Sequence, residues 1–298
     1  MMNRFGYCCL NLSTNLRVNR SCTFKTFKEK GLDYVGDLAL KNVQDLIELI
    51  DWNNLNSIHV YRMSSDMIPW NSMYDIEELP QYNLIKEALE CAGKLAIEFN
   101  QRLSFHPGPF CVLGSPNETF VNKTITEIEN HSKLMDIMKL SASHYNPINI
   151  HCNGHYGDKI KTMQRWALNF KSLSPNAQAR LVVENDDKLN CYSIKDLLYL
   201  HELTGCPITL DIFHHQIHPD GLSLFWAANA AKTTWGDVTP LFHYSNSITL
   251  EDKSLKFLAH SNWIYEKCPT FNFTFDCELE TKMKDLSLLK YRQQYELI

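Results

Sequence analysis

Short apolar runs in this 298-residue chain end, again and again, on a histidine or a carboxylate. Leu103-Ser104-Phe105 leads into His106, Ile148-Asn149-Ile150 into His151, and Leu181-Val182-Val183 into Glu184. The run beginning at Pro207 supplies Asp211 with His214 just beyond, and two later runs supply His243 and Glu280. One such residue is ordinarily a hydrogen-bonded structural group; six successive runs ending this way form a pattern. If these side chains share one mouth, burying the carboxylates together without cations is costly through desolvation and like-charge repulsion. Metal ions resolve that cost. Imidazole mixed with carboxylate suits Zn²⁺, Mn²⁺ or Fe²⁺, and no cysteine stands at these ends to favour a thiolate site. Closely spaced metals sharing a carboxylate suit phosphodiester hydrolysis, because they polarise the phosphate, acidify a water and stabilise the leaving oxygen.

Such residues meet only if the runs are strands of one sheet. β-Branched and aromatic content predicts eight: Arg4-Asn11, Ser57-Met63, Arg102-His106, Pro147-Cys152, Arg180-Asn185, Pro207-Ile212, Pro240-Tyr244 and Phe271-Glu280. Between them apolar residues recur at helical spacing: Val43, Leu46, Ile47 and Ile50, then Leu84, Ala88, Ala92, Leu95 and Phe99. Ile125, Ile128, Ser132 and Met135 mark a third helix, and Ile160, Met163, Ala167 and Phe170 a fourth. Asp196-Leu203, Leu222-Trp235, Leu255-Trp263 and Leu286-Tyr295 complete eight. Eight β/α units predict an α/β chain folded as one (β/α)8 TIM barrel over 1–298, with the chemistry at the carboxyl ends of the strands. A doubly wound open sheet is the competing architecture, since the same alternation builds both.

Composition sets outer limits. The chain is 44% hydrophobic and 21% charged, ordinary values for a globular protein. No apolar run approaches the roughly 20 residues of a membrane span, and we expect no signal peptide. Ten scattered cysteines without a CxxC pair predict reduced thiols and an intracellular protein. A formal charge of −5 argues against binding nucleic acid by basicity alone. Three divalent ions in one cleft would add about +6 and reverse the local field.

Order and spacing of these blocks resemble the UV damage endonuclease family over essentially the whole chain. The matching blocks include Phe5-Gly6-Tyr7 with Asn11, Tyr61-Arg62-Met63-Ser64-Ser65-Asp66, His106-Pro107-Gly108, Val112-Leu113-Gly114-Ser115-Pro116, Tyr156-Gly157-Asp158-Lys159, Glu184-Asn185-Asp186-Asp187-Lys188, His214-His215 and Leu279-Glu280-Thr281-Lys282. The resemblance implies an endonuclease IV-like barrel that nicks damaged duplex DNA immediately 5′ to a UV photoproduct, leaving a 3′-hydroxyl and a 5′-phosphate. It implies three divalent metals, with Mn²⁺ favoured and Zn²⁺, Mg²⁺ or Co²⁺ as alternatives. The implied ligands are His106, His151, Glu184, Asp211, His214, His243, His260 and Glu280, with Glu184 as the bridge. Lys159 and Lys188 would contact phosphate, Lys159 being grouped with Glu184 in catalysis. Tyr7 and Asn11 on one side and Pro109 and Phe110 on the other would probe the lesion. Damaged double-stranded DNA is the implied partner, and a monomer the implied state.

Three departures stand out. Pro109 replaces the glutamine usual in the family, Leu241 replaces a lysine, and Asn153-Gly154-His155 replaces a Gly-Gly turn. Proline offers no side-chain hydrogen bond to a base edge but still makes an apolar wedge, so an altered lesion preference is expected. Two rival functions share the ligands: a metal-dependent sugar isomerase of the xylose isomerase type, which needs no wedge, and a damaged-DNA-binding barrel that has lost catalysis.

Overall fold

The computed structural model describes residues 3–295. Its strands are β1 (Arg4–Cys8), β2 (Val60–Arg62), β3 (Arg102–Ser104), β4 (Ile148–His151), β5 (Leu181–Glu184), β6 (Ile208–Thr209), β7 (Leu241–Tyr244) and β8 (Asp276–Leu279). Each lies inside a run predicted from sequence and is shorter than it. All pairings are parallel, in the order β3-β2-β1-β8-β7 and β4-β5-β6. Single parallel bridges, Phe105 to Ile148 and Asp211 to His243, join the two arcs into a ring.

Helices wrap the ring: α1 (Phe24–Leu55), α2 (Tyr82–Glu98), α3 (Glu118–Ile137), α4 (Lys159–Phe170), α5 (Pro175–Arg180), α6 (Ile194–Thr204), α7 (Ile212–Ile217), α8 (Leu224–Thr234) and α9 (Lys284–Gln294). Thr23 caps α1, which turns sharply at Gly31, where φ is 68°. The short helices α5 and α7 lie outside the sequence prediction. Each begins at a side-chain cap, Ser174 for α5 and Asp211 for α7.

Two expectations need correction. Leu255-Trp263 is not a helix. Its apolar residues Leu255, Phe257 and Leu258 are exposed, so no buried face stabilises a helix there. Asp252 instead binds the amide and hydroxyl of Ser254, and Glu251 binds the amide of Asn262. Helix α2 buries Ile85, Leu89, Ala92 and Ala96 and leaves Leu84 exposed. Its packing against α1 and α3 selects a face one residue round from the predicted one.

Alternation along the strands sorts the barrel interior into layers. Arg102 and Asp276 lie at the amino-terminal end, and an apolar layer of Val60, Val182 and Leu241 follows. Two residues on from that apolar layer come Arg62, Glu184 and His243, and two on from Arg102 and Asp276 come Ser104 and Glu278. At Gly6 of β1 a Cβ would sit 2.0 Å from the Val60 carbonyl oxygen, so only glycine fits this close approach.

Candidate metal centre

The strands end as polar residues begin, and their register sets who meets whom. His151 on β4 is the register partner of Glu184 on β5, and His243 on β7 that of Glu278 on β8. Glu184 lies at the centre and is fully buried. Its Oε2 is 3.0 Å from His106 Nε2, 3.1 Å from His243 Nδ1 and 3.9 Å from His151 Nε2. Its Oε1 faces His214 Nδ1 at 3.4 Å. Asn149, one layer inside on β4, donates its amide to Oε2.

Two groups of donors have the spacing of cation sites, and Glu184 belongs to both. His106, Glu184, His243 and Glu280 form one, and Glu184, Asp211 and His214 the other; within each, one donor atom per residue lies within 4.8 Å of the rest. Buried Glu184 Oε1, Asp211 Oδ2, His151 Nδ1 and His243 Nδ1 have no hydrogen-bond partner. Buried polar atoms are nearly always satisfied, so these orphans, all histidine nitrogens or carboxylate oxygens, fit a divalent metal. His260 enters from the irregular segment after β7, held by an antiparallel bridge to Ser247 and by Ser245 Oγ 2.7 Å from its Nδ1. Its Nε2 is 3.8 Å from Glu280 Oε2.

Without cations the cluster balances itself with protons. Burial would raise the Glu184 carboxyl, but the surrounding His243, His151, His106 and His214 hold it well below the usual carboxylate range. Burial works the other way on His243, yet Glu184 and Glu280 outweigh it and the neighbouring Arg62, lifting the imidazole to about 10. His214 is likewise raised, against its burial, by Asp211 and Glu184.

Sequence reasoning passed over two members of this constellation. Arg62 is buried at the end of β2, with Nε 2.6 Å from Glu278 Oε2 and Nη1 2.6 Å from Glu280 Oε1. Glu278 is buried inside β8, and Ser104 donates its hydroxyl to it. A charged residue closing the Val60-Tyr61-Arg62 strand carried the same signal as the histidines and could have been found. Asp186 also belongs here, with Oδ1 3.4 Å from His151 Nδ1.

The remaining predicted residues are scattered. Pro109 and Phe110 are exposed on the loop after His106, Phe110 to 90%. Lys188 is exposed on the loop after β5. Lys159 opens α4 and pairs with Asp196 of α6 at 2.6 Å. The Tyr7 ring packs on Tyr61 with no exposed surface, its hydroxyl donates to Asn53, and it accepts from Asn11. Asn11 is 7% exposed and spends its oxygen on the Thr14 amide. Leu241 fills the apolar layer below His243, and Asn153 takes the left-handed φ of 63° that its turn demands.

Comparison with known proteins agrees with this geometry. A UV-damage endonuclease of Schizosaccharomyces pombe is 33% identical over 313 residues, covering 99% of this chain and 51% of the relative, so the chain spans about half that protein's length. A putative UV-damage endonuclease of Acanthamoeba polyphaga mimivirus is 33% identical over 312 residues, 98% of this chain and 91% of the relative. The crystal structure of SacUVDE superposes with a TM-score of 0.87 at 29% identity, covering 99% of this chain and 98% of that one. The model of the family described as UV-endonuclease UvdE matches residues 3–298. The chain belongs to the UV-endonuclease UvdE family.

Proposed function

We propose that the chain is a metal-dependent DNA repair endonuclease that nicks duplex DNA immediately 5′ to UV photoproducts, leaving a 3′-hydroxyl and a 5′-phosphate. One observation carries the reading: a buried carboxylate, Glu184, faces two donor groups at once while its Oε1 and their Asp211 Oδ2 and His243 Nδ1 have no other hydrogen-bond partner. Family membership supplies the DNA substrate.

Glu184 would serve both cation sites, with His106, His243 and Glu280 holding the ion on one side and Asp211 and His214 the ion on the other. His151 and His260 remain as donors for a third ion. When bound, divalent ions, Mn²⁺ first among them, polarise the scissile phosphate and lower the pKa of a water. Arg62 holds Glu280 in place through its Nη1, and Asn149 fixes Glu184 from below. Phe110 and Pro109 stand clear of the barrel, where an aromatic face and an apolar wedge enter a weakly stacked lesion at low unstacking cost. Lys188 contacts phosphate from the opposite loop. Lys159 joins it only by leaving Asp196. The chain acts as one domain and as a monomer.

The test is incision of an end-labelled duplex carrying one cyclobutane pyrimidine dimer, with Mn²⁺, with EDTA, and with Glu184→Gln. A single nick 5′ to the dimer, abolished by EDTA and by the substitution, is expected. Tight binding without cleavage under Mn²⁺ would overturn the nuclease reading in favour of a damage-binding protein.

A further inference from the structure

The His243 ring touches charged groups on both its nitrogens, and only one arrangement of its proton leaves it able to hold a cation. Nδ1 points into the donor group, 3.1 Å from Glu184 Oε2 and 3.3 Å from Glu280 Oε1. Nε2 points away from it, 3.2 Å from Glu278 Oε2 and 2.8 Å from Arg62 Nη2. A neutral imidazole has one lone pair and one N–H. If Nδ1 offers its lone pair to a cation, the proton sits on Nε2 and needs an acceptor. Arginine has donors only, so Arg62 is excluded, and Glu278 Oε2 is the acceptor in reach.

Nothing else on these strands supplies one. Leu241, the neighbour of His243 on the same face of β7, packs against Val60 and Val182. The acceptor must come from the adjacent strand, where the register sets Glu278 beside His243. Glu278 is itself fixed: Ser104 donates to Oε1 and Arg62 Nε to Oε2 at 2.6 Å, and its residue exposure is 1%. A carboxylate so placed is a buried charge whose partners are complete except for a proton on His243.

We propose that Glu278 is the positioning carboxylate of this centre: it accepts the Nε2–H of His243 and so turns the Nδ1 lone pair toward the cation held with His106, Glu184 and Glu280. Arg62 Nη2 lies 2.8 Å from the same Nε2, so this arrangement requires Arg62 to give up that contact and keep its bonds to Glu278 and Glu280. Carboxylates that hold the outer nitrogen of a ligating histidine commonly strengthen metal binding by about 10–100-fold. The inference rests on the metal-centre part of the proposed function and not on DNA cleavage.

The test reads metal binding and tautomer rather than incision. Zn²⁺-loaded, ¹⁵N-histidine-labelled protein examined by long-range ¹⁵N–¹H correlation is expected to show His243 protonated on Nε2, with Nδ1 shifted by the metal. By titration calorimetry, Glu278→Met is expected to weaken Mn²⁺ binding about 10–100-fold, with Glu278→Asp partly restoring it. Ser104→Ala keeps the carboxylate and serves as a packing control with a smaller loss. A wild-type His243 that keeps its proton on Nδ1 when Zn²⁺ is bound overturns the proposal, and this measurement needs no variant to fold. Unchanged Mn²⁺ affinity in a folded Glu278→Met protein overturns it equally. Failure of the nuclease reading would appear as metal binding without incision, a different result from either.

Discussion

The two ends of this barrel both bury charge, and they treat it in opposite ways. At the amino-terminal end Arg102 is fully buried and donates to the carbonyls of Tyr145, Thr239 and His144 and to Asp276. Arg4 completes the pair with bonds of 2.8 and 2.6 Å to the two Asp276 oxygens. At the carboxyl-terminal end Glu184, Asp211, His151 and His243 each keep a buried polar atom without a hydrogen bond. A satisfied ion cluster is a structural plug. An unsatisfied one of the same charge density is a site that needs something from outside, and a TIM barrel places such sites at this end. Burial of charge alone therefore does not mark function; burial with unmet valence does.

The strongest way to break the contrast is Glu184→Gln. Losing the shared carboxylate removes ion-mediated stabilisation of the transition state, on the order of 4–5 kcal/mol, or roughly 10³–10⁴-fold in incision rate. Thermal melting should show a midpoint within a few degrees of the parent when both are metal-free, and loss of the upward shift that Mn²⁺ gives the parent. A large fall in the metal-free midpoint would make Glu184 a structural residue and erase the distinction.

Asp276→Asn is the mirror experiment. It leaves Arg102 buried with a weaker partner, and breaking a buried pair costs about 3–5 kcal/mol. Urea unfolding should show that loss, while the folded fraction keeps its incision rate and its Mn²⁺-induced shift. Lost cleavage with full stability would mean the two ends are not separate in role.

Glu278 stands between the two behaviours, a buried charge at the functional end with satisfied oxygens. Burial would raise its carboxyl, but Arg62 and then His243 outweigh it and hold the pKa at about 2. A carboxylate depressed in the folded state adds stability above its unfolded value, near 4.5, and that stability is lost as pH falls through about 2. The gap corresponds to about 3 kcal/mol. Urea midpoints of the parent and Glu278→Gln should therefore differ most above pH 5 and converge toward pH 2. A constant difference across that range would show that the charge on Glu278 is not what the fold uses.

Where the sequence was legible follows from the same physics. All eight strands lie within runs marked by β-branched and aromatic residues, because a strand flanked by helices on one side and a filled barrel on the other is apolar on both faces. Polar residues closing those runs were visible as exceptions to that rule. Glu278 was not, since it lies mid-run and only the register with His243 shows what it faces. The segment 255–263 misled because its apolar spacing is helical while its side chains remain exposed around the mouth: Phe257 packs on Phe213, whose ring is 5.6 Å from His260. Periodicity reports apolar positions, not whether a core exists to receive them. At Tyr7 the sequence is silent on packing, since nothing in it reveals that Asn53 on α1 holds the hydroxyl.

Phe110 offers the smallest and most selective effect. At 90% exposure it packs on almost nothing, so Phe110→Ala should leave the urea midpoint unchanged, as substitutions away from core features usually do. Stacking of a base on an aromatic ring is worth about 1–3 kcal/mol, so binding to a dimer-containing duplex should weaken by roughly tenfold or more, while Mn²⁺ affinity stays as it was. Equilibrium binding to damaged and undamaged duplexes separates the possibilities. An equal loss on both would make Phe110 a general DNA contact, and no loss on either would return lesion sensing to another exposed aromatic such as Phe257 or Tyr156.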